Sequence, residues 1–281
     1  MSYCGRYAPS PTGNLHLGNA RTALVAYWRA RQQNGEFIMR IEDLDSARSK
    51  ADKVATNLAE LEFLGIKWTQ GPDFGGINKP YLQSQRHDLY QDALSKLIKN
   101  KQIFECYLSR KDLREISSAP HGQMPIYGQK ERELNQKIKA SKIAESKQPS
   151  LRFFVNTPEV EFEDILYGKQ EFTVGDFIVK RADNEWAYQL AVVVDDIAMG
   201  ITEVVRGADL LESTAAQILL YQALGAKIPK FMHLPLLNDK DGRMAKRKGS
   251  LTISELKNKG IKAERIVGLL AYSLGLVEKL R

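Results

Sequence analysis

Apolar residues recur at two different periods in the first forty positions, and together they predict a strand, a helix and a second strand. Residues 3–8 are rich in β-forming side chains. From His16 onward, apolar side chains recur three or four positions apart, which is the spacing of one buried helical face. Gly35 ends this helical pattern, and residues 36–42 form a second apolar run. A strand–helix–strand unit of this length predicts an α/β fold with a Rossmann-like, doubly wound parallel sheet.

The later segments repeat these patterns, with one block of different character. Residues 101–185 combine charged helices with short alternating runs, and we interpret this block as an α+β insertion. The apolar run Trp186–Met199 fits either a helix or a buried strand, because periodicity alone does not separate the two. We therefore divide the chain into a Rossmann-like first half (1–100), the insertion (101–185), a second half (186–238), and a loop with a helical C-terminal segment (239–281). Further helices are predicted at 50–64, 85–100, 209–224, 252–258 and 262–274, and strands at 151–155, 160–166, 172–180, 202–206 and 231–237.

Composition narrows the protein class. The chain has 281 residues, of which 43% are hydrophobic and 27% charged, as in an ordinary globular protein of about two domains. No apolar run reaches the roughly 18 residues that a membrane span needs, and the N-terminus lacks a signal-peptide pattern. Only Cys4 and Cys106 are present, so we expect a reducing, cytoplasmic location. The net charge of +7 fits either a solvated surface or a polyanionic partner such as nucleic acid.

The segment between the first strand and the first helix is a candidate phosphate site. Residues 9–13 read Pro-Ser-Pro-Thr-Gly, which excludes regular structure and predicts a tight turn. A helix N-terminus beside such a turn presents backbone N–H groups and a positive dipole end to an anion. His16 lies at the mouth of the turn as a possible donor to a phosphate oxygen, and Gly18 leaves room for a flat ring near the backbone. We interpret the segment as a nucleotide site.

A second candidate is the basic loop near residue 246. The sequence Met-Ala-Lys-Arg-Lys at 244–248 is bracketed by Gly242 and Gly249. Such a run is most often a solvated basic turn. A mobile loop after a strand can instead fold over a nucleotide and place Lys246 against a phosphate, where lysine acts as a compact point charge.

These two segments carry a resemblance to a known family. The motif at residues 6–19, Arg-x-Ala-Pro-Ser-Pro-Thr-Gly-x-Leu-His-Leu-Gly-Asn, resembles the adenylate-forming signature of class I glutamyl-tRNA synthetases, and 244–247 resembles their mobile-loop signature. The similarity covers residues 3 to about 250. The sequences of residues 83–87, 186–196 and 206–211 are similar to those of one branch of the family, the glutamyl-Q tRNA(Asp) synthetases.

The resemblance implies an enzyme that joins L-glutamate to ATP, with Mg²⁺ accompanying the ATP, to give glutamyl adenylate. The attacking carboxylate is already ionised, so positioning and charge stabilisation suffice. The implied roles are catalysis by His16 and Lys246; ATP binding by His16, Gly18, Asn19 and Lys246; and glutamate binding by Arg6, Ser10, Glu42, Tyr188 and Arg206.

The acceptor follows from the position of the second signature. About thirty residues follow Lys246, which is far fewer than the anticodon-binding region of a full glutamyl-tRNA synthetase. The branch implies transfer of glutamate to queuosine in the anticodon stem-loop of tRNA(Asp). Three alternatives stay open: a catalytic fragment charging tRNA(Glu), a non-catalytic tRNA-binding paralogue, and a small nucleotidylyltransferase.

The sequence departs from the branch at its zinc site. Members often bind zinc through a Cys-x-Cys pair, a tyrosine and a further cysteine, whereas here Cys106 and Tyr127 lack the other cysteines and His121 is a makeshift ligand. We therefore predict no structural zinc.

Several charged residues receive structural interpretations. We expect Arg21 and Arg40 to pair with the acidic turn at 42–45. We expect Asp195 to lie near the substrate or, with Asp196, to cap the turn before Gly200.

Overall fold

The computed structural model describes residues 2–109, 111–113, 126–239, 242–243 and 251–279. The predicted basic loop at 244–248 and His121 therefore lie outside the described residues. The strands are β1 (Cys4–Tyr7), β2 (Glu36–Met39), β3 (Ile103–Cys106), β4 (Ser150–Phe153), β5 (Glu159–Asp164), β6 (Gly168–Thr173), β7 (Phe177–Lys180), β8 (Glu203–Gly207), β9 (Lys230–Leu234), β10 (Asn238–Asp239) and β11 (Gly242–Arg243). The helices are α1 (Leu17–Gln32), α2 (Ala51–Phe63), α3 (His87–Lys99), α4 (Gln129–Ala144), α5 (Tyr188–Ala198), α6 (Leu211–Ala223), α7 (Ile253–Asn258) and α8 (Ala263–Tyr272), with short 3-10 helices at Gln83–Gln85 and Ala208–Leu210.

The larger sheet has the strand order β2-β1-β8-β9-β5-β6. Its first five strands pair in parallel, which confirms the predicted doubly wound α/β sheet. β6 is antiparallel to β5, because only Ile165–Tyr167 connects them and so short a connection cannot cross over the sheet. From β1 the chain moves outward to β2, and it later returns to β8 on the other side of β1. The carboxyl ends of β1 and β8 therefore flank a topological switch point, where such folds bind ligands.

Alternate residues of the inner strands pack into two separate cores. Ile38 joins one cluster with helices α3, α5 and α6, whereas Phe37 and Met39 join the other with helices α1, α2 and α8. Val204 and Val205 divide between the same two clusters. Because successive side chains of a strand point to opposite faces, this division places helices on both faces of the sheet.

The predicted insertion contributes strands to two sheets. β3, β4 and β7 form a separate antiparallel sheet, and Leu134 and Ile138 of α4 pack against a small apolar cluster around Cys106. β5 and β6 extend the larger sheet instead, through the pairing of Asp164 with Phe231. The predicted single run at 172–180 is thus two strands in different sheets. The domain boundaries at 100 and 185 remain a prediction.

The ambiguous run Trp186–Met199 is a helix, α5. Its apolar residues from Leu190 to Val194 are buried, so packing stabilises the helix although valine favours strands slightly. The helix stops before Gly200, whose φ of +65° is the left-handed conformation that glycine adopts most readily. None of the described helices is both long and apolar enough to cross a membrane.

Candidate active site

A cavity of about 770 Å³ opens at the carboxyl ends of β1 and β8. Its walls come from β1 and the turn that follows it, the start of α1, the segment after β2, the start of α5 and the segments after β8 and β9. Lys246 lies outside the described residues. Every other residue predicted to bind ATP or glutamate lines this one cavity: Arg6, Ser10, His16, Gly18, Asn19, Glu42, Tyr188 and Arg206. Their individual roles remain predictions.

His16 caps the first helix with its own side chain. Its Nδ1 accepts hydrogen bonds from the backbone N–H groups of Gly18 and Asn19, at 3.1 and 3.4 Å. An accepting Nδ1 places the ring proton of the neutral imidazole on Nε2. Two of the backbone N–H groups that the sequence suggested for phosphate therefore bond His16. The ring then carries its donor on Nε2, and His16 lines the cavity.

Gly18 fits this cap closely. A Cβ atom at position 18 would lie 3.0 Å from Cε1 and 3.1 Å from Nδ1 of His16. The flat ring that approaches the backbone at Gly18 is thus the imidazole of His16. The Oδ1 atom of Asn19, which also lines the cavity, is buried without a hydrogen-bond partner in the described structure.

Arg206 lies at the end of β8 and is almost fully buried. Its Nε donates to Nε2 of His233 at 3.0 Å, and its terminal nitrogens donate to Oε1 of Gln217 and Oγ1 of Thr214, both at 2.8 Å. A longer bond of 3.4 Å reaches the carbonyl oxygen of Leu210. Burial lowers the pKa of this guanidinium, although an arginine keeps its proton at any physiological pH. All of these hydrogen-bond partners are uncharged, and the charge of Asp196 acts on Arg206 without a hydrogen bond between them. Arg206 is unmatched in the sense that no carboxylate bonds it directly among the described residues.

Arg6 has the opposite environment. Its Nε and one terminal nitrogen donate to the two carboxylate oxygens of Asp196, at 3.3 and 3.4 Å. The same carboxylate accepts a 2.6 Å hydrogen bond from the fully buried Arg40. Burial by itself would raise the pKa of Asp196, but Arg6 and Arg40 outweigh it and hold that pKa below its ordinary value. Asp196 therefore fixes two cationic side chains beneath the cavity.

Asp195 contacts a different set of residues. Its carboxylate accepts hydrogen bonds from Arg86 at 2.6 Å, Gln83 at 2.7 Å and the hydroxyl of Tyr90 at 3.0 Å. It is fully buried and does not line the cavity, although its charge acts on Glu42, which does. Its expected place near the substrate stays a prediction. The side chain joins α5 to α3 and to the 3-10 helix that precedes α3.

Glu42 and Tyr188 both line the cavity, and the charge of Glu42 acts on Tyr188. Glu42 follows β2 and accepts a 3.4 Å hydrogen bond from Arg40. Burial raises the pKa of Glu42. Burial also raises the pKa of Tyr188, and the negative charge of Glu42 raises it further. Tyr188 therefore stays protonated and can donate a hydrogen bond. A cation that binds Glu42 stabilises the buried carboxylate, because it compensates for the water that the carboxylate has lost.

The expected pairing of two arginines with the acidic turn holds for one of them. Arg40 bonds Glu42, as predicted. Arg21 instead donates to the backbone oxygen of Pro235 and lines the cavity wall. Its position on α1 turns it toward the segment after β9, away from Glu42.

The altered zinc motif forms a small packed cluster. The thiol of Cys106 donates to the hydroxyl of Tyr127 at 3.5 Å, and the guanidinium of Arg152 lies 4.2 Å from the ring centre of Tyr127. Within the described residues there is no group of three or more His, Cys, Asp or Glu side chains arranged to hold a metal ion. The absence of zinc remains a prediction, because His121 lies outside those residues.

Sequence reasoning missed the residues that surround Arg206. Asp164, Thr214, Gln217 and His233 are each almost fully buried polar side chains that form its environment. They come from β5, α6 and β9, and none belongs to the quoted motifs. The sequence carried no clear signal for them, because Asp164 and His233 lie inside the predicted strands 160–166 and 231–237 and reach the carboxyl edge only where β5 and β9 end in the structure.

Comparison with known proteins identifies the family. Residues 4–277 match the family described as tRNA synthetases class I (E and Q), catalytic domain. A glutamyl-Q tRNA(Asp) synthetase from Symbiobacterium thermophilum is 50% identical over 98% of this chain and 88% of its own length. One from Nitratidesulfovibrio vulgaris is 44% identical over 97% of this chain and 86% of its own.

More distant relatives are longer than this chain. A glutamate–tRNA ligase from Carboxydothermus hydrogenoformans is 42% identical over 95% of the chain, which spans 57% of that protein. A crystal structure of a glutamate tRNA ligase from Elizabethkingia meningosepticum, in complex with its amino acid, superimposes on this chain with a TM-score of 0.84 and 28% sequence identity. The match covers 96% of this chain and 60% of that chain. The chain belongs to the class I tRNA synthetases for glutamate and glutamine, and within them to the glutamyl-Q tRNA(Asp) synthetases.

Proposed function

We propose that this protein activates L-glutamate with ATP and transfers the glutamyl group to the queuosine base in the anticodon loop of tRNA(Asp). Two relatives named for this activity are 50% and 44% identical, and the chain spans 86–88% of their length. Glutamate–tRNA ligases are 39–42% identical, and the chain spans only 56–58% of them. The higher identity to these two relatives supports the queuosine acceptor over tRNA(Glu).

The observation that carries the choice of glutamate is the unmatched charge of Arg206. Burying a guanidinium among neutral partners is unfavourable, and a substrate carboxylate that enters the cavity removes that penalty. Arg6 lies on the neighbouring strand β1 and lines the same cavity, with its charge shared by Asp196. The side-chain carboxylate of glutamate is therefore assigned to Arg206, with Arg6 beside it.

The remaining groups orient the backbone of the amino acid. Its ammonium group binds the carboxylate of Glu42, with Tyr188 and Ser10 as hydrogen-bonding neighbours. The α-carboxylate then lies toward the turn at residues 9–13 and toward His16, where ATP is bound. This arrangement aims one carboxylate oxygen at the α-phosphorus and keeps the other carboxylate on Arg206.

Activation is an in-line displacement. One oxygen of the α-carboxylate forms a bond to the α-phosphorus, the bond from that phosphorus to the bridging oxygen breaks, and pyrophosphate leaves. The Nε2–H of His16 donates to a phosphate oxygen as its charge grows, beside Asn19 and Gly18. Lys246 is proposed to stabilise the leaving pyrophosphate, and Mg²⁺ arrives with the ATP substrate.

The second step transfers the glutamyl group. A hydroxyl of queuosine attacks the carbonyl carbon of the adenylate, the mixed anhydride bond breaks, and AMP leaves. The net charge of +7 favours association with the phosphates of an RNA stem-loop. We place this reaction in the cytoplasm, where ATP and tRNA occur together.

Two assays test the proposal in sequence. Glutamate-dependent exchange of pyrophosphate into ATP, measured without RNA, reports adenylate formation. Transfer of labelled glutamate is then measured on queuosine-modified tRNA(Asp), on the same tRNA without queuosine, and on tRNA(Glu). We expect exchange without RNA and labelling of the queuosine-modified tRNA(Asp) alone. Labelling of tRNA(Glu) alone assigns the chain to the ligase activity, and absence of exchange assigns it to a non-catalytic role.

A further inference from the structure

A chain of three buried side chains crosses three neighbouring strands next to the cavity. Asp164 ends β5, His233 lies in β9 and Arg206 lies in β8. Arg206 and His233 are partners in the β8–β9 register. Nδ1 of His233 lies 2.7 Å from Oδ2 of Asp164, and its Nε2 lies 3.0 Å from Nε of Arg206. The imidazole thus bridges a carboxylate and a guanidinium.

The partners determine where the imidazole carries its proton. The Nε–H of Arg206 is a donor only, so Nε2 of His233 must accept. The proton of the neutral ring is then on Nδ1, which donates to Asp164. Burial, with the nearby charge of Arg206, lowers the pKa of His233 and keeps the ring in this neutral form at pH 7.

Asp164 is itself held in place by several donors. Its Oδ1 accepts from the backbone N–H groups of Leu166 and Tyr167, both at 3.0 Å, and its Oδ2 accepts from the backbone N–H of His233 at 3.1 Å. These bonds stabilise the carboxylate and fix its position at the β5–β6 turn. The orientation of the imidazole, and through it that of Arg206, is therefore set by the main chain of two strands.

The imidazole also separates two charges. If a carboxylate bonded Arg206 directly, it would neutralise the guanidinium and compete with a substrate carboxylate. A neutral ring between them holds the guanidinium by Nε while the negative charge stays on the far side of the ring. The terminal nitrogens are held by Gln217 and Thr214, which are also neutral.

We propose that Asp164 and His233 are positioning residues for glutamate: they orient Arg206 and leave its charge available, and thereby set the preference for glutamate over glutamine. The proposal rests on the proposed function, because it takes Arg206 as the ligand of the substrate side chain. It extends that function to two residues that contact the substrate only through Arg206.

Replacing His233 by glutamine or by asparagine tests the roles of its two ring nitrogens separately. In His233→Gln, the amide oxygen reaches the position of Nε2 and still accepts from Arg206. In His233→Asn, the amide reaches the position of Nδ1 and bonds Asp164, but Arg206 loses its acceptor. Exchange of pyrophosphate into ATP is measured against glutamate, glutamine and ATP concentration, with His87→Asn as the control. His87 is exposed and lies on α3, where it accepts from the indole of Trp186.

We expect His233→Asn to raise the KM for glutamate about tenfold, the effect of losing one hydrogen bond to a charged group, with the KM for ATP unchanged. The preference for glutamate over glutamine falls in proportion. His233→Gln keeps the acceptor for Arg206 but loses the bond to Asp164, so we expect a smaller rise in the KM for glutamate, of about threefold, which measures the contribution of Asp164. His87→Asn leaves both KM values unchanged.

A conservative variant on the other side of Arg206 covers the case in which changes at His233 prevent folding. Thr214→Val keeps the shape of the side chain and removes the hydroxyl that accepts from Arg206, so it should also raise the KM for glutamate alone. The proposal is overturned if the KM for glutamate is unchanged in the folded variants, or if the KM values for glutamate and ATP rise together. A wild-type protein without glutamate-dependent exchange overturns the proposed function instead.

Discussion

Replacing Asp196 by asparagine tests how the buried charges hold the site together. The carboxylate bonds Arg40 at 2.6 Å and Arg6 at 3.3 and 3.4 Å, and all three side chains are at most 5% exposed. Asparagine has the same shape but no charge, and one end of its amide is a donor. The change therefore leaves two buried guanidinium groups without their shared counter-ion and presents one of them with a second donor.

The expected loss of stability is large. Removing one partner of a buried ion pair costs about 3–5 kcal/mol, because the remaining charge is desolvated without compensation. In a protein of this size, each kcal/mol lowers the melting temperature by about 2–4 °C. Asp196→Asn should therefore lower the melting temperature by roughly 6–20 °C.

Thermal unfolding followed by circular dichroism at pH 7 measures this loss, and Asp183→Asn is the matched control. Asp183 bonds Arg181 at 2.5 Å, but both side chains are about half exposed, so their pairing contributes little. If Asp196→Asn lowers the melting temperature no more than Asp183→Asn does, the account of a charge-organised site is wrong.

The effect of pH has a definite sign. Arg6 and Arg40 hold the pKa of Asp196 below its ordinary value when the protein is folded. A carboxyl with a lowered folded pKa stabilises the protein above its unfolded pKa, which is about 3.9, and loses that contribution as the pH falls through the folded value. The difference between the wild type and Asp196→Asn should therefore be constant from pH 5 to 8 and shrink below about pH 4.

Three further changes test the cavity itself. Arg206→Met should lower kcat/KM for glutamate about a hundredfold in the exchange assay and leave the KM for ATP nearly unchanged, because it removes the positive charge and a charge-assisted hydrogen bond. An unchanged KM for glutamate would contradict this role. Because the pKa of Glu42 is raised, protonation should weaken glutamate binding at a higher pH than it would for an ordinary glutamate side chain, and Glu42→Gln should give a high KM without that pH dependence. Gly18→Ala places a Cβ atom 3.0 Å from the ring of His16, so it should displace the cap, destabilise α1 by about 1 kcal/mol and slow pyrophosphate exchange. Gly268→Ala is the control and should have none of these effects, because the added atom meets nothing within 4 Å.

Local sequence patterns predicted most of the elements of this fold. The β1–α1–β2 unit and its parallel pairing followed from apolar periods and from the glycine and proline residues that interrupt them. The run at Trp186–Met199 could not be assigned, because a sequence rich in valine is compatible with both states until its packing partners are known. The membership of β5 in the larger sheet could not be predicted either, since it depends on a pairing between Asp164 and Phe231, which are far apart in the chain.

The same limit applies to the site. The wall of the cavity was predictable because its residues belong to recognisable motifs. The supporting residues were not, because a buried acid is identified by its partners and these are distant in sequence. Asp196 bonds Arg40 and Arg6 across 156 and 190 positions, and Asp195 bonds Arg86 across 109. Two adjacent acids before a glycine look like a capping pair in the sequence, whereas in the fold they support two different parts of the structure.

Arg6 and Arg206 illustrate what the structure adds to a motif. Both were predicted as ligands of the same carboxylate, and no sequence pattern separates their roles. In the fold, Arg6 bonds Asp196, which it shares with Arg40. The hydrogen-bond partners of Arg206 among the described residues are neutral, and an imidazole separates its guanidinium from Asp164. A carboxylate that enters the cavity therefore binds Arg206 more favourably than Arg6. Arg6 already bonds a carboxylate, whereas Arg206 gains its first directly bonded counter-ion. Selectivity for an acidic substrate is then a property of the neutral partners around Arg206 as much as of its charge.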